Sequence, residues 1–202
     1  MNEENKKLAN VKKSCKGAKI VSKIILIALI IATVSTFVGG IMLIAGRSKW
    51  DNTFAEAAEN GAGANVDLSF GPVKMGSFEN GEFNSTTPLT SDVPAVQSFF
   101  DENADSPSLI IGFYLILVGS VTAIAAVAFS LITSVFDIIL KEGNPFSDKA
   151  VKRTLIAMII LSVCAASTAG LGFGVLLGFL TWVIYTIMDY GRALKLLSDE
   201  TL

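Results

Sequence analysis

Histidine is absent from the sequence and cysteine is scarce, and both shortages limit the chemistry that the chain can support. Histidine is the commonest metal ligand and the commonest general base near neutral pH. Its absence excludes zinc-protease motifs and Ser-His-Asp triads. Cys15 lies among lysines and Cys164 lies inside an apolar run, so a disulfide framework is not expected. We therefore expect no enzyme, no metal site and no cofactor.

Charged residues are missing from three long windows, residues 24–46, 108–136 and 154–188. A helix exposed to water needs a polar face, so a soluble domain of this size would not leave three such windows. Each window is long enough for a helix to cross a hydrocarbon core of about 30 Å at about 1.5 Å per residue. The sequence predicts an all-α, multi-pass membrane protein whose surroundings are a lipid bilayer.

The first two windows predict one span each. The first span covers residues 24–46, and the second covers 108–140 and extends past the membrane into the cytoplasm. Residues 1–18, which precede the first span, are polar and predict a mobile tail that becomes helical near the membrane. A cleaved signal peptide is the alternative for the first span. The long basic leader and the lack of a clear cleavage site disfavour it.

The last window is too long for one straight span, since a helix over residues 154–188 would measure about 52 Å. Three glycines between Gly170 and Gly174 predict a tight reversal at its middle. Two short spans, 154–170 and 171–188, are therefore predicted, which makes four in total. A single tilted span is the alternative.

The distribution of charge predicts the orientation of these spans. Lysines and arginines concentrate in residues 1–23, in the loop 141–153 and in the tail 189–202, whereas residues 47–107 carry ten acids and three bases. Positive residues accumulate on the cytoplasmic side of a membrane. We expect both termini in the cytoplasm, residues 47–107 outside, and the protein in the plasma membrane. The net charge of −2 indicates no nucleic-acid partner.

Residues 47–107 form the one sizeable polar segment. Val66–Phe70 alternates apolar and polar side chains as a half-buried strand does. Asn80-Gly81 is a signal for a two-residue hairpin turn between Phe78 and Phe83. These patterns predict a small β-containing extracytoplasmic domain. A loop that rests on the helices is the alternative.

Two cytoplasmic segments carry a family resemblance. The loop Lys141-Glu142-Gly143-Asn144-Pro145-Phe146-Ser147 and the tail, with Tyr190-Gly191 and Ser198-Asp199-Glu200-Thr201-Leu202, are similar to segments of a bacterial four-span membrane family. That family is called domain of unknown function 2975. The resemblance implies four helices and a bacterial membrane, and it implies no catalytic residue. Residues 47–107 do not match the family.

Asp137 is the one acid between residues 106 and 141. An ionisable side chain inside a spanning helix is a functional hypothesis by default. Lys141 follows four residues later and would be its partner on the same helix face. We favour a residue at the cytoplasmic rim of the membrane, and a proton or ion site is the alternative.

Small residues recur every four positions on the later helices, and such stripes let helices approach closely. The candidate packing residues are Thr122, Ala126, Ser130, Ser134, Gly174 and Gly178. Packing within a four-helix bundle is the favoured interpretation. A homo-oligomer formed through the last helix is the alternative.

These features favour a non-enzymatic protein that acts through a protein partner, as a sensor or adaptor does. The distinctive polar sequence lies outside the spans, so the loop and the tail are the expected docking region. The candidate docking residues are Pro145, Phe146, Tyr190, Leu194 and Leu197. The alternative is a small transporter, or an immunity-type protein that protects against a membrane-active peptide.

Overall fold

The computed structural model describes the backbone of residues 3–59, 66–70, 73–78 and 94–200. This part of the chain forms six helices and one pair of strands. The elements are α1 (Glu3–Ala45), α2 (Arg47–Glu59), β1 (Val66–Phe70), β2 (Val73–Phe78), α3 (Pro94–Glu102), α4 (Pro107–Glu142), α5 (Asp148–Thr168) and α6 (Leu171–Glu200).

Four of the helices are long and apolar enough to cross a membrane. They are Ala9–Ala45 within α1, all of α4, all of α5, and Leu171–Ser198 within α6. Large aliphatic and aromatic side chains are exposed along these helices, which suits lipid and not water as their solvent. The helices fit the multi-pass membrane protein that the sequence predicts.

The turns between the last three helices lie where the sequence places them. Gly143, with a φ of 66°, ends α4, and its N–H donates to the carbonyl oxygen of Ile139 at 2.9 Å. Ser147 caps α5, because its Oγ accepts the N–H of Ala150 at 3.4 Å. Gly170, with a φ of 99°, separates α5 from α6. Residues 154–188 are thus two helices and not one.

The N-terminal segment differs from the prediction of a mobile tail over residues 1–18. The structure continues α1 without a break back to Glu3. The segment contains no proline and one glycine, Gly17, so nothing in it stops a helix. Contacts of Lys19 and Ser22 with α4 hold the helix in place near its middle.

Residues 47–107 also differ from the prediction. They contain two helices that the sequence did not predict, α2 and α3. Alanine and glutamate near the end of α2 favour the helix, and Pro94 suits the first position of α3.

The strand pair confirms a strand at Val66–Phe70. Val66 pairs with Phe78 and Phe70 pairs with Val73 in antiparallel register. The Asn80-Gly81 turn lies outside the described residues. Two strands of five and six residues do not make a stable domain, so the predicted β-containing domain is not supported.

The chain divides into two compact units. The first comprises residues 1–31, 123–166 and 171–202. In it, Lys19 of α1 contacts Asp137 of α4, and Ser22 of α1 contacts Thr133 of α4. The residue number rises along α1 while it falls along α4, so the two helices run antiparallel. The helices α5 and α6 approach closely at Gly174, where a Cβ would collide with Ala166.

The second unit comprises residues 32–122 and 167–170. In it, α1 and α4 cross with their backbones in contact. A Cβ added to Gly40 would lie 2.7 Å from the carbonyl oxygen of Gly112, and one added to Gly112 would lie 2.9 Å from that of Gly40. Thr33 also donates to the hydroxyl of Thr122 at 3.1 Å.

Candidate interaction surface

The loop between α4 and α5 packs against the C-terminal part of α6. The Asn144 side-chain oxygen accepts the N–H of Phe146 at 2.9 Å, and this turn is followed at once by the Ser147 cap. The Phe146 ring then lies on the backbone of Gly191 in α6. A Cβ at Gly191 would lie 2.5 Å from Cε1 of that ring, so any other residue would have to displace the ring.

An ion pair reinforces this contact. Arg192 Nε lies 2.7 Å from the Asp148 Oδ1 in the first turn of α5, and Arg192 Nη1 lies 3.7 Å from Asp189 Oδ1. The loop and the tail, which carry the family resemblance, are therefore in contact with each other. Pro145 and Phe146, both expected at the docking surface, are half-buried, and Phe146 contacts the tail of its own chain.

The other three predicted docking residues are exposed and share one face of α6. The exposed fractions are 65% for Tyr190, 49% for Leu194 and 60% for Leu197. Their spacing of four and three residues places them on one stripe of the helix. We call Tyr190, Leu194 and Leu197 the tail surface. The structure places it next to the junction of Phe146 with Gly191.

Asp137 lies at the contact of α1 with α4 and pairs with Lys19. The predicted partner, Lys141, forms no ion pair with Asp137 within the described residues. Lys141 and Lys23 are further positive charges that act on this carboxylate. The prediction of a pair within α4 is corrected here, because Lys19 reaches Asp137 from α1. Local spacing on one helix could not indicate a partner on another helix.

A buried hydroxyl pair lies one turn further along the same contact. Ser22 Oγ and Thr133 Oγ1 are 2.8 Å apart, and both residues are buried. Thr133 also donates to the carbonyl oxygen of Phe129 at 2.9 Å, so both hydroxyl groups are satisfied.

The candidate packing residues fall into two groups. Thr122 bonds to Thr33, Gly174 contacts Ala166, and Ala126 is half-buried. Ser134 accepts a hydrogen bond from Arg153 of α5 at 2.8 Å. Ser130 is exposed, and within the described residues nothing lies within 4 Å of a Cβ added to Gly178.

A second stripe of small residues on α4 recurs every seven positions. Gly112, Gly119 and Thr133 are buried, and Ala126 is half-buried. On α1, Ser22, Thr33, Thr36 and Gly40 share one face in the same way. A search for small and hydroxyl-bearing residues at helical spacing in α1 would have found this contact.

Asp51 of α2 caps the first turn of α4, a contact that the sequence did not predict. Its Oδ1 accepts the Ser108 N–H at 2.9 Å, and its Oδ2 accepts the Ser106 hydroxyl at 2.8 Å. Partial burial raises the pKa of Asp51, but hydrogen bonds from Ser108 and Ser106 and the charge of Arg47 lower it. The pKa lies below the ordinary 3.8 as a result.

The second unit contains an apolar cavity of about 280 Å³ between α3 and the start of α4. Its lining consists of Ala95, Val96, Phe99, Phe100, Ile110, Phe113 and Leu117. None of these side chains carries a hydrogen-bonding group, so nothing in the lining would orient a ligand. Among the described residues, no three His, Cys, Asp or Glu side chains come together as metal ligands do.

Comparison with known proteins found no match for this chain. No family model matches the chain, and no curated protein and no solved structure matches it.

Proposed function

We propose that this chain is a non-enzymatic, multi-pass membrane protein that acts through a protein partner, as a sensor or adaptor does. The four apolar helices support the membrane part of the proposal. The tail surface supports the partner part. Its three apolar side chains are exposed on a helix segment that Phe146 and Asp148 hold in position.

The length of α6 carries the tail surface past the lipid hydrocarbon. Its 30 residues measure about 45 Å, against about 30 Å for the hydrocarbon core. Asp189, Arg192 and Lys195 lie in the same turns and favour the water side of the boundary. Apolar side chains in contact with water cost free energy until another surface covers them.

The spacing of the tail surface indicates the class of partner. Apolar side chains at positions i, i+4 and i+7 suit the hydrophobic groove of a folded protein. In this proposal the partner is cytoplasmic, and residues 47–107 receive a cue on the other side of the plasma membrane. Membership of the four-span bacterial family belongs to the same proposal, and the residues of the loop and tail support it.

Photo-crosslinking at Tyr190 in intact membranes, with affinity purification and mass spectrometry, tests the proposal. Leu194→Ser removes an apolar side chain from the tail surface. Leu196→Ser is its matched control, because Leu196 is 55% exposed, against 49% for Leu194, and lies on another face of α6.

We expect the wild type and Leu196→Ser to capture one partner in near-stoichiometric amount. Leu194→Ser is expected to lower its recovery about tenfold, as the loss of an anchor side chain does. Equal recovery with the two variants, or crosslinks to the chain itself alone, would contradict the proposal.

Transport, or protection against a membrane-active peptide, is the competing function, and Asp137 would be its central side chain. The residues between Ser22 and Thr33 on α1 carry no hydroxyl group over about 16 Å of helix. This gap favours the partner function over a polar path along α1. Solute flux in liposomes that Asp137→Asn abolishes at normal abundance would favour transport instead.

A further inference from the structure

Three lysines from two helices lie near one carboxylate in the first unit. Lys19 pairs with Asp137. Lys23 follows Lys19 by about one turn of α1, and Lys141 follows Asp137 by about one turn of α4, so both lie on the helix faces that carry this pair. Within the described residues, neither Lys23 nor Lys141 forms an ion pair. We call Lys19, Lys23 and Lys141 the basic cluster. Asp137 balances one of its three charges and leaves an excess of two.

The basic cluster lies where two uncharged helix segments end. Lys23 directly precedes the window 24–46, and Asp137 directly follows the window 108–136. Because α1 and α4 are antiparallel and Lys19 contacts Asp137, these two ends lie at the same level of the unit. Charged residues at the end of an apolar membrane span lie at the depth of the lipid headgroups.

The positive face continues along α1 beyond the cluster. Lys12, Lys16, Lys19 and Lys23 fall within about 60° of the helix circumference. Lys12, Lys16 and Lys23 are exposed. Residues 5–50 contain no acid, so no negative charge in this stretch of α1 offsets the positive face.

We propose that the basic cluster binds the phosphate group of an anionic phospholipid. An ammonium group has three N–H donors, so Lys19 can bond to Asp137 and still donate to a phosphate oxygen. Asp137 thereby positions Lys19, and Lys23 and Lys141 supply the excess positive charge. Basic groups between helices at the cytoplasmic interface are suited to such headgroups. This site is separate from the tail surface and does not depend on the protein partner.

Lipid binding to the full-length protein in neutral detergent, measured by native mass spectrometry, tests this proposal. The probes are dioleoylphosphatidylglycerol and dioleoylphosphatidylcholine. The test variant is Lys23→Gln with Lys141→Gln. The matched control is Lys13→Gln with Lys149→Gln, which removes the same charge from two exposed lysines outside the cluster.

We expect the wild type and the control to prefer phosphatidylglycerol over phosphatidylcholine. The test variant is expected to lose about 30-fold in phosphatidylglycerol affinity, with phosphatidylcholine binding unchanged. Each single substitution should lose about fivefold, which keeps the test decisive where the double variant does not fold. Lys23→Arg with Lys141→Arg should retain the wild-type affinity.

Three outcomes would overturn the proposal. The first is no lipid preference in the wild type. The second is an equal loss of phosphatidylglycerol affinity in the test and control variants, which would mean that net charge and not the basic cluster determines the affinity. The third is equal competition by glycerophosphoglycerol, which has the headgroup without acyl chains and would assign the cluster to free phosphate esters.

Discussion

The ring of Phe146 lies against the backbone of Gly191, so the loop that follows α4 holds the end of α6. The pair of Arg192 with Asp148, at 2.7 Å, joins the same two segments immediately beside this contact. An exposed salt bridge alone contributes little to stability. The ring contact is therefore the stronger determinant of where the tail surface lies.

Gly191→Val should displace the Phe146 ring and loosen the tail. The new side chain would overlap the ring, and overpacking of this kind typically costs about 1–3 kcal/mol. Thermal unfolding in detergent and the rate of proteolysis in the tail measure the effect. Gly178→Val is the control on the same helix, since within the described residues nothing lies within 4 Å of its Cβ position. Equal effects of the two variants would show that the Phe146 contact is unimportant.

Asp51→Ala should remove the side-chain cap on α4 at neutral pH, at a cost of about 1 kcal/mol. The pKa of Asp51 is lowered in the folded protein, so its stabilisation is complete above the ordinary value of 3.8. That stabilisation is lost as the pH falls through the folded pKa. Denaturation of wild type and variant across this range should show the difference shrinking in acid. Asp105→Ala, at an exposed position in the turn before α4, is the control and should behave as the wild type.

Ser22→Ala and Thr133→Val should show coupled effects on the free energy of unfolding. Hydroxyl pairs between membrane helices average about 0.6 kcal/mol in double-mutant cycles and reach about 1.7 kcal/mol. The pair is buried, so the coupling should be positive and measurable by unfolding in detergent. A cycle on the exposed residues Ser35 and Ser130 should give none. Zero coupling for Ser22 with Thr133 would mean that their hydrogen bond does not stabilise the fold.

The four-span topology predicts opposite labelling of the segment that follows the first span and of the C-terminal tail. In a Cys15→Ala, Cys164→Ala background, Ser48→Cys should react with a membrane-impermeant thiol reagent in intact cells. Ala193→Cys should react after permeabilisation only. Both positions are exposed, so access to the thiol is set by the membrane. Labelling of Ala193→Cys in intact cells would indicate an odd number of spans.

Local signals account for the parts of the fold that were predicted correctly. The charge-free windows predicted the apolar helices, and Gly143, Ser147 and Gly170 marked where helices end or begin. In residues 47–107 the local signals were weaker, and α2 and α3 were missed. Alternation at Val66–Phe70 was a correct signal for a strand, but it could not identify the partner strand, Val73–Phe78.

The amino-acid sequence is enough to predict a membrane protein and the positions of four apolar helices, because apolar runs, helix stops and caps are properties of neighbouring residues. The pairing of Lys19 with Asp137, the cap that Asp51 provides to α4 and the contact of Phe146 with Gly191 are known from the folded chain alone. Each of these contacts joins residues that are far apart in the sequence. Their formation depends on how helices pack against one another, and no local periodicity records that packing.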